Sequence, residues 1–403
     1  MTASSAPRLL TRTFVALFAA TLAFFTAGAL VLPVATRYAD GPLGADAVGI
    51  GVSIGVFSVA ALVLRPVVGW AADRFGRRPL LLFGGSVTLV ALGLHLVATT
   101  LPAFVAVRAL LGVGEAFFFV AALAALSDIA PPERRGEAIN VGSLAVYLGL
   151  GAGPAIGEAV LGAAGFSGAW LTAAGIAALA IGLSWFVPET APGVLAARAS
   201  GERGPRGRLF HPAGLLPGFL ILTGAWGMAG FFAFVPLHAT NVGLDGAGVP
   251  LAMYALIVVA LRIAFAKLPD QVGAARLSGA ALAVTAIGLA MIGALPGSVG
   301  LLVGTAVFAV GIAFMFPGLM AVAVARVDET ERGSVVGTSS AFLDLSFGLA
   351  PATLGFVAGS DGYGEVFLVS AGVAVVGAAV IAILRASLVA PAPRPGSDEV
   401  RLH

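Results

Sequence analysis

Apolar stretches of about 20 residues, each long enough to cross a hydrocarbon layer as a helix, recur along the whole chain. They are bounded by Gly, Pro or charged clusters and fall near 13–37, 47–72, 79–98, 102–127, 136–161 and 166–187, then near 214–239, 248–268, 275–295, 298–325, 333–358 and 364–388. Peptide groups inside a bilayer find no water, so such stretches are restricted to helices. Composition agrees: 59% of the 403 residues are hydrophobic and 10% are charged, which leaves too few polar groups to cover a water-soluble surface. The 55 glycines follow no Gly-X-Y period and suit close helix packing in a membrane. The fold class expected is all-α integral membrane, with twelve transmembrane helices. The run from Thr13 to Val34 follows Arg8 and Arg12 as a signal peptide would, but it exceeds a signal core in length and reads as the first span.

Charge sets the orientation. Loops that stay in the cytoplasm hold an excess of Arg and Lys. With the N-terminus inside, Arg8, Arg12, Arg74, Arg77, Arg78, Arg134, Arg135, the linker arginines 198, 203, 206 and 208, Lys267, Arg276, Arg326, Arg332, Arg394 and Arg401 all fall inside. Arg37 alone falls in an outside loop. Both termini are therefore expected in the cytoplasm, and the bacterial cytoplasmic (inner) membrane is the expected location. Basic residues are nearly all Arg, with no basic stripe, so nucleic acid is not an expected partner.

The only substantial linker, 188–212, divides the chain into a six-helix bundle at 1–187 and another at 213–390, with a cytoplasmic tail at 391–403. The halves repeat one another. Arg65-Pro-Val-Val-Gly-Trp-Ala-Ala-Asp73-Arg-Phe-Gly76 is echoed by Arg262-Ile-Ala-Phe-Ala-Lys-Leu-Pro-Asp270-Gln-Val-Gly273. At that same offset Arg135-Gly136 matches Arg332-Gly333, Gly151 matches Gly348 and Pro154 matches Pro351; Pro33 corresponds to Pro236 after a longer first outside loop. Two pseudo-symmetric halves of six spans are the sign of a parallel-repeat transporter.

Several chemistries are excluded or unsupported. The chain has no Cys, and His95, His211, His238 and His403 are scattered, so no metal site is expected. No Ser/His/Asp constellation, cofactor motif or phosphate-binding loop is present, so neither an enzyme nor a primary pump is expected and the energy source would be a proton gradient.

Gly69-Trp-Ala-Ala-Asp73-Arg74-Phe-Gly76-Arg77-Arg78 joins spans two and three. Gly69 leaves room for another helix, Gly76 permits a tight reversal, and Asp73 stands among three arginines. This loop resembles the signature loop of the major facilitator superfamily, and the resemblance extends over essentially the whole chain. It implies a conformational latch that holds the two halves together while the cavity faces outward. It also implies that Asp73 meets the start of span eleven near Arg332 and Gly333, and that Arg77 pairs with Asp128 at the inner end of span four. The second-half copy has Gln271, Ala274 and Ala275 where the arginines stand.

Arg108-Ala-Leu-Leu-Gly112-Val-Gly114 opens span four. An arginine in a span faces a cavity or a partner, or snorkels to the surface. In the family this pattern lies beside the substrate path and is linked to proton transfer. On span five, Gly149, Gly153 and Gly157 stand four apart on one face, with Pro154 among them. The run is similar to the motif of the antiporter branch, except that Glu158 replaces its last glycine. Leu30-Val-Leu-Pro33-Val resembles the first-span motif of twelve-span drug:proton antiporters.

Ionisable residues deep in spans are functional candidates. Glu115 and Asp344 lie near mid-depth on spans four and eleven, and Glu158 lies toward the outer end of span five. A carboxyl withdrawn from water holds its proton at higher pH, which suits a group that loads and releases protons. Glu115, Asp344, Arg108 and Glu158 are the candidates for proton coupling or substrate binding. Trp226, Phe231, Phe232 and Phe234 on span seven, with Tyr147, are candidates for an aromatic cavity wall. His95 on span three is expected to pack or snorkel, and Pro317 and Pro351 to bend spans ten and eleven.

The function expected is export of small, apolar or amphipathic molecules by proton antiport with alternating access. The partners are the bilayer, the substrate and protons, and the resemblance implies a monomer. An importer or uniporter of a sugar or other metabolite is the alternative on the same fold, and a non-transporting membrane receptor a distant one.

Overall fold

Each apolar stretch satisfies its peptide groups by closing into a helix, and small residues then decide which helices touch. The computed structural model describes residues 11–130, 135–190, 211–265, 268–324, 332–358 and 363–389, without the side chains of Pro66, Asp73, 135–140, Ser143, Pro269, Asp270, Val324, 332–334 and 385–389. No strand occurs among the described residues. The first half contains α1 (Arg12–Asp40), α2 (Ala47–Phe75), α3 (Arg77–Leu94) and α4 (Leu101–Ile129). The helical run Arg135–Trp185 follows, broken at Gly165 into α5 (135–164) and α6 (166–185). Gly165 has φ of 66°, a backbone conformation that side chains with a Cβ resist. The second half contains α7 (Leu215–Asn241), α8 (Gly248–Ala264), α9 (Ala274–Ala294), α10 (Gly297–Val324), α11 (Arg332–Gly355) and α12 (Gly364–Val389). The short helix Leu268–Val272 lies between α8 and α9. The twelve membrane passages expected from hydropathy are thus present, with α8 the shortest.

Local chemistry fixes several ends. Asp46 accepts a hydrogen bond from the Gly49 amide at 2.7 Å and caps α2, and Thr11 caps α1 through the Phe14 amide. Pro33, Pro154, Pro236, Pro317 and Pro351 all lie inside helices, where neighbouring spans make their missing amides tolerable.

The two halves pack alike. In the first, α1 lies against α5, α2 against α4, and α3 against α4 and α6; in the second, α7 lies against α11, α8 against α10, and α9 against α10 and α12. Outward-facing Val63, Leu171, Leu256, Ile263, Val299 and Ile383 are more than half exposed, an apolar belt that a protein in water does not present but a bilayer covers.

Contacts between the halves run along α2 with α11, α5 with α8 and α1 with α7. They concentrate at one end, where α1 ends and α2 begins; we term this the far end, and the opposite one, where α6 ends and α7 begins, the linker end. At the far end a Cβ on Gly51 would meet the Pro351 carbonyl, one on Gly55 the Gly348 carbonyl, and one on Gly355 the Ala47 carbonyl. The Thr36 hydroxyl donates to the Ala233 carbonyl at 3.1 Å, joining α1 to α7. The halves are therefore zipped at the far end.

Candidate functional site

The seam between the halves is polar just below the far-end zip. Arg65 on α2 reaches Asp344 on α11, with nitrogen–oxygen distances of 2.8 and 2.9 Å to the two carboxylate oxygens. Both side chains are half-buried, and the Arg65 guanidinium also lies 5.2 Å from the Phe119 ring centre on α4. Glu115, one turn before Phe119, is within electrostatic reach of both Arg65 and Asp344. Arg65 thus pairs with a carboxylate of the other half, with a second carboxylate of its own half close enough to feel both charges. On the other side of the seam, Arg262 on α8 stacks on Tyr147 of α5 at 3.8 Å.

The structure brings Glu115 and Asp344 together, but it places the other two coupling candidates elsewhere. Arg108 is 1% exposed and does not snorkel. Its Nε donates to the Ser53 carbonyl at 3.1 Å, between α4 and α2, with Phe57 beneath the guanidinium. Glu158 pairs with Arg37 at 3.2 Å at the far end, where both side chains touch the Gly246 loop of the other half. His95 stands one residue past α3, buried against Trp170 and Phe104, with its Nδ1 2.7 Å from the Ala91 carbonyl; packing, not snorkelling, is its role.

The aromatic wall expected on α7 needs correction. Phe231 and Phe234 have no exposed surface: Phe231 packs on Tyr254 and Phe308, and Phe234 stacks on Tyr363. Phe232 is buried edge-on to Tyr254, and Trp226 is half-buried against the same core. Nearly every residue of α7 is apolar, so periodicity gave no face to the cavity, and these phenylalanine rings pack on aromatic rings of their own half. Tyr147 alone of these candidates lies at the seam.

Gly149, Gly153 and Gly157 form one face of α5 set directly on α1. A Cβ at Gly153 would stand 2.7 Å from that of Ala29, and one at Gly157 would strike the Leu30 carbonyl. Gly157→Val should therefore destabilise the bundle by about 1–3 kcal/mol or more, as overpacking does. Thermal unfolding followed by loss of the monodisperse chromatographic peak measures this, and an unchanged midpoint would contradict the contact.

At the linker end, Gly76 has φ of 93° and turns the chain between α2 and α3. Arg77 Nε lies 3.0 Å from Asp128 on α4, and its Nη1 donates to the Ala72 carbonyl at 2.8 Å. Glu189, which sequence reasoning missed, accepts from the amides of Arg77 and Arg78 and so caps α3 from beyond α6. Its signal is only an acid at the end of span six. Arg78 also donates to the Trp185 carbonyl, and Arg74 is exposed beside Trp70 and Phe75. A Cβ on Gly69 would meet nothing within 4 Å, so no described residue of another helix approaches here. The contact expected between Asp73 and the start of α11 lies outside the described side chains.

Arg65, Arg262 and Arg37 were also not singled out from the sequence as site residues. The signal existed for the first two: each is an arginine within an apolar span, the same ground on which Arg108 was chosen. Among the described residues no group of His, Asp and Glu has metal-binding geometry.

Comparison with known proteins gives the family. The Major Facilitator Superfamily profile matches residues 13–295 and 239–402. An uncharacterized MFS-type transporter of Salmonella typhimurium is 31% identical over 345 residues, covering 83% of this chain and 87% of the relative. Another, from Burkholderia mallei, is 28% identical over 371 residues, covering 90% and 89%. Among solved structures, a POT family transporter superposes with a TM-score of 0.77 at 13% identity, covering 94% of this chain and 97% of that one. The human organic anion transporter MFSD10 superposes with a TM-score of 0.66 at 20% identity, covering 93% and 100%. Those two likenesses speak for the fold; with the sequence relatives and the profile, they show that this multi-pass membrane protein belongs to the major facilitator superfamily of transporters.

Proposed function

We propose that the chain exports small amphipathic molecules in exchange for protons, by alternating access. The observation that carries this reading is the Arg65–Asp344 pair across the two halves, with Glu115 in reach of both. A carboxylate in an ion pair between two moving bodies is a switch that a proton can work. Protonation removes the negative charge, ends the attraction to Arg65 and frees the halves to rock. Substrate and proton then compete for one conformation, which is what antiport requires.

The arginine excess supports a cytoplasmic linker end and a location in the inner membrane. In that orientation the halves are zipped on the outside, and the open space at Gly69 is where α11 would approach when the cavity turns outward. The Gly76 loop, with Arg77, Asp128 and Glu189, then acts as the latch of that second state. The glycine face of α5 set on α1 supports the antiporter branch. No cofactor is needed beyond the proton gradient, and one chain contains both halves of the machine.

Inverted membrane vesicles made acidic inside by respiration test the direction. Accumulation of an exported compound that collapses when the proton gradient is dissipated supports the reading. Equilibration of a sugar or other metabolite down its own gradient, indifferent to pH, would contradict it in favour of facilitated import.

A further inference from the structure

The two cationic contacts across the seam are copies of each other. The offset that relates Asp73 to Asp270 and Gly151 to Gly348 also carries Arg65 onto Arg262 and Tyr147 onto Asp344. Arg65 reaches from α2 to α11; Arg262 reaches from α8 to α5, the corresponding pair of spans. The chemistry at the two copies differs. Arg65 meets a carboxylate at 2.8 Å, whereas Arg262 meets a tyrosine ring. Arg262 makes no ion pair among the described residues; the Nε atoms of both arginines are buried without a hydrogen-bond partner, so what separates the copies is the carboxylate. An aromatic face attracts and orients a guanidinium but does not neutralise it. One copy therefore has its acid within the protein, and the other does not.

The incomplete copy is also where a ligand could arrive. Gly151 touches Ala255 at the lower edge of the zip between α5 and α8. Tyr147 lies one turn from Gly151 toward the linker end, and Arg262 two turns from Ala255 in that direction. Both side chains are half-buried and not sealed. A guanidinium whose central carbon lies 3.8 Å over a ring keeps its edge donors for another partner, and that edge can take two oxygens of one acidic group.

We propose that Arg262, stacked on Tyr147, is the subsite for an acidic group on the transported molecule, which makes the substrates amphipathic organic anions bearing a carboxylate, sulfonate or phosphate. The ligand's acid fills the place that Asp344 fills in the other copy. This rests on the transporter reading above. It also divides the labour at the seam: the Asp344 side answers to protons, and the Arg262 side to substrate.

The test uses the full chain in detergent and matched probes that differ only in charge: 2-naphthylacetate, its amide, and 2-naphthylethylammonium. Binding is read by calorimetry. Wild type should bind the acid at least ten-fold tighter than the amide. Arg262→Gln should bring that ratio close to one. Tyr147→Asp, which builds the missing acid by copying Asp344, should do the same while keeping the inter-half contact and a monodisperse peak. Arg262→Lys should keep part of the preference, since it keeps the charge and loses the fork. A wild type that does not bind the acid, or treats acid and amide alike, overturns the proposal, as does an undiminished ratio in Tyr147→Asp. Transport of the amide or ammonium probe by reconstituted wild type, without preference for the acid, would sink this subsite alone and leave the transporter reading standing.

Discussion

Gly55→Leu is expected to stop transport by locking the protein out of the state described here, without unfolding it. Gly55 lies on α2 and faces the Gly348 carbonyl of α11 across the seam, with no room for a Cβ. Gly51, one turn toward the far end, and Gly355, which meets Ala47 a further turn on, make the same kind of backbone approach. These contacts join different halves, so they exist only while the far end is closed. Four added carbons cost about 1–3 kcal/mol where packing is tight and nothing where the halves have parted. A differential of that size moves a two-state equilibrium by roughly 5- to 150-fold. The absence of native cysteine makes the readout clean. A single Cys at Thr36, which is buried at the α1–α7 contact, reports on the far end. Labelling by a membrane-impermeant maleimide should rise at least ten-fold when Gly55→Leu is added. Unchanged labelling with transport intact would show that the zip does not open during the cycle.

Asp344→Asn and Glu115→Gln should each lower substrate-driven proton flux at least ten-fold, while substrate-for-substrate exchange stays within about three-fold of wild type, since neutral amides mimic the protonated carboxyl and lose only its titration. Arg65→Gln should behave differently. It leaves Asp344 without its ion-pair partner and removes the positive charge that Glu115 also feels, so both exchange and yield of folded protein should fall. Full proton flux in both carboxyl variants would move coupling away from this cluster, with Glu158 the next residue to test.

Much of this architecture was legible from the chain because the bilayer permits so little else. Twelve hydrocarbon-length stretches dictate twelve helices, and the echo of Arg65–Gly76 in Arg262–Gly273 declares two halves. Glu115 and Asp344 could be picked out because an acid at mid-depth needs a reason. What pairing each acid adopts was not legible. Arg65 is 279 positions from Asp344, and nothing local in either span announces the other. Glu189 was missed for the same reason: it caps a helix that begins more than a hundred residues earlier. The aromatic run of α7 misled in the opposite direction, since a helix apolar on every side does not reveal which side meets a cavity. The glycines of α5 were read as one face, and that face is set on α1.

The central claim is that movement of substrate and movement of protons are one event at the Arg65–Asp344–Glu115 cluster. The most direct measurement is internal pH in proteoliposomes holding a pH-sensitive dye, on addition of lipophilic drugs, organic acids, sugars and other metabolites in turn. The account predicts a prompt proton movement with amphipathic compounds, lost in Asp344→Asn or Glu115→Gln. Sugar entry with no proton signal from any compound would contradict it.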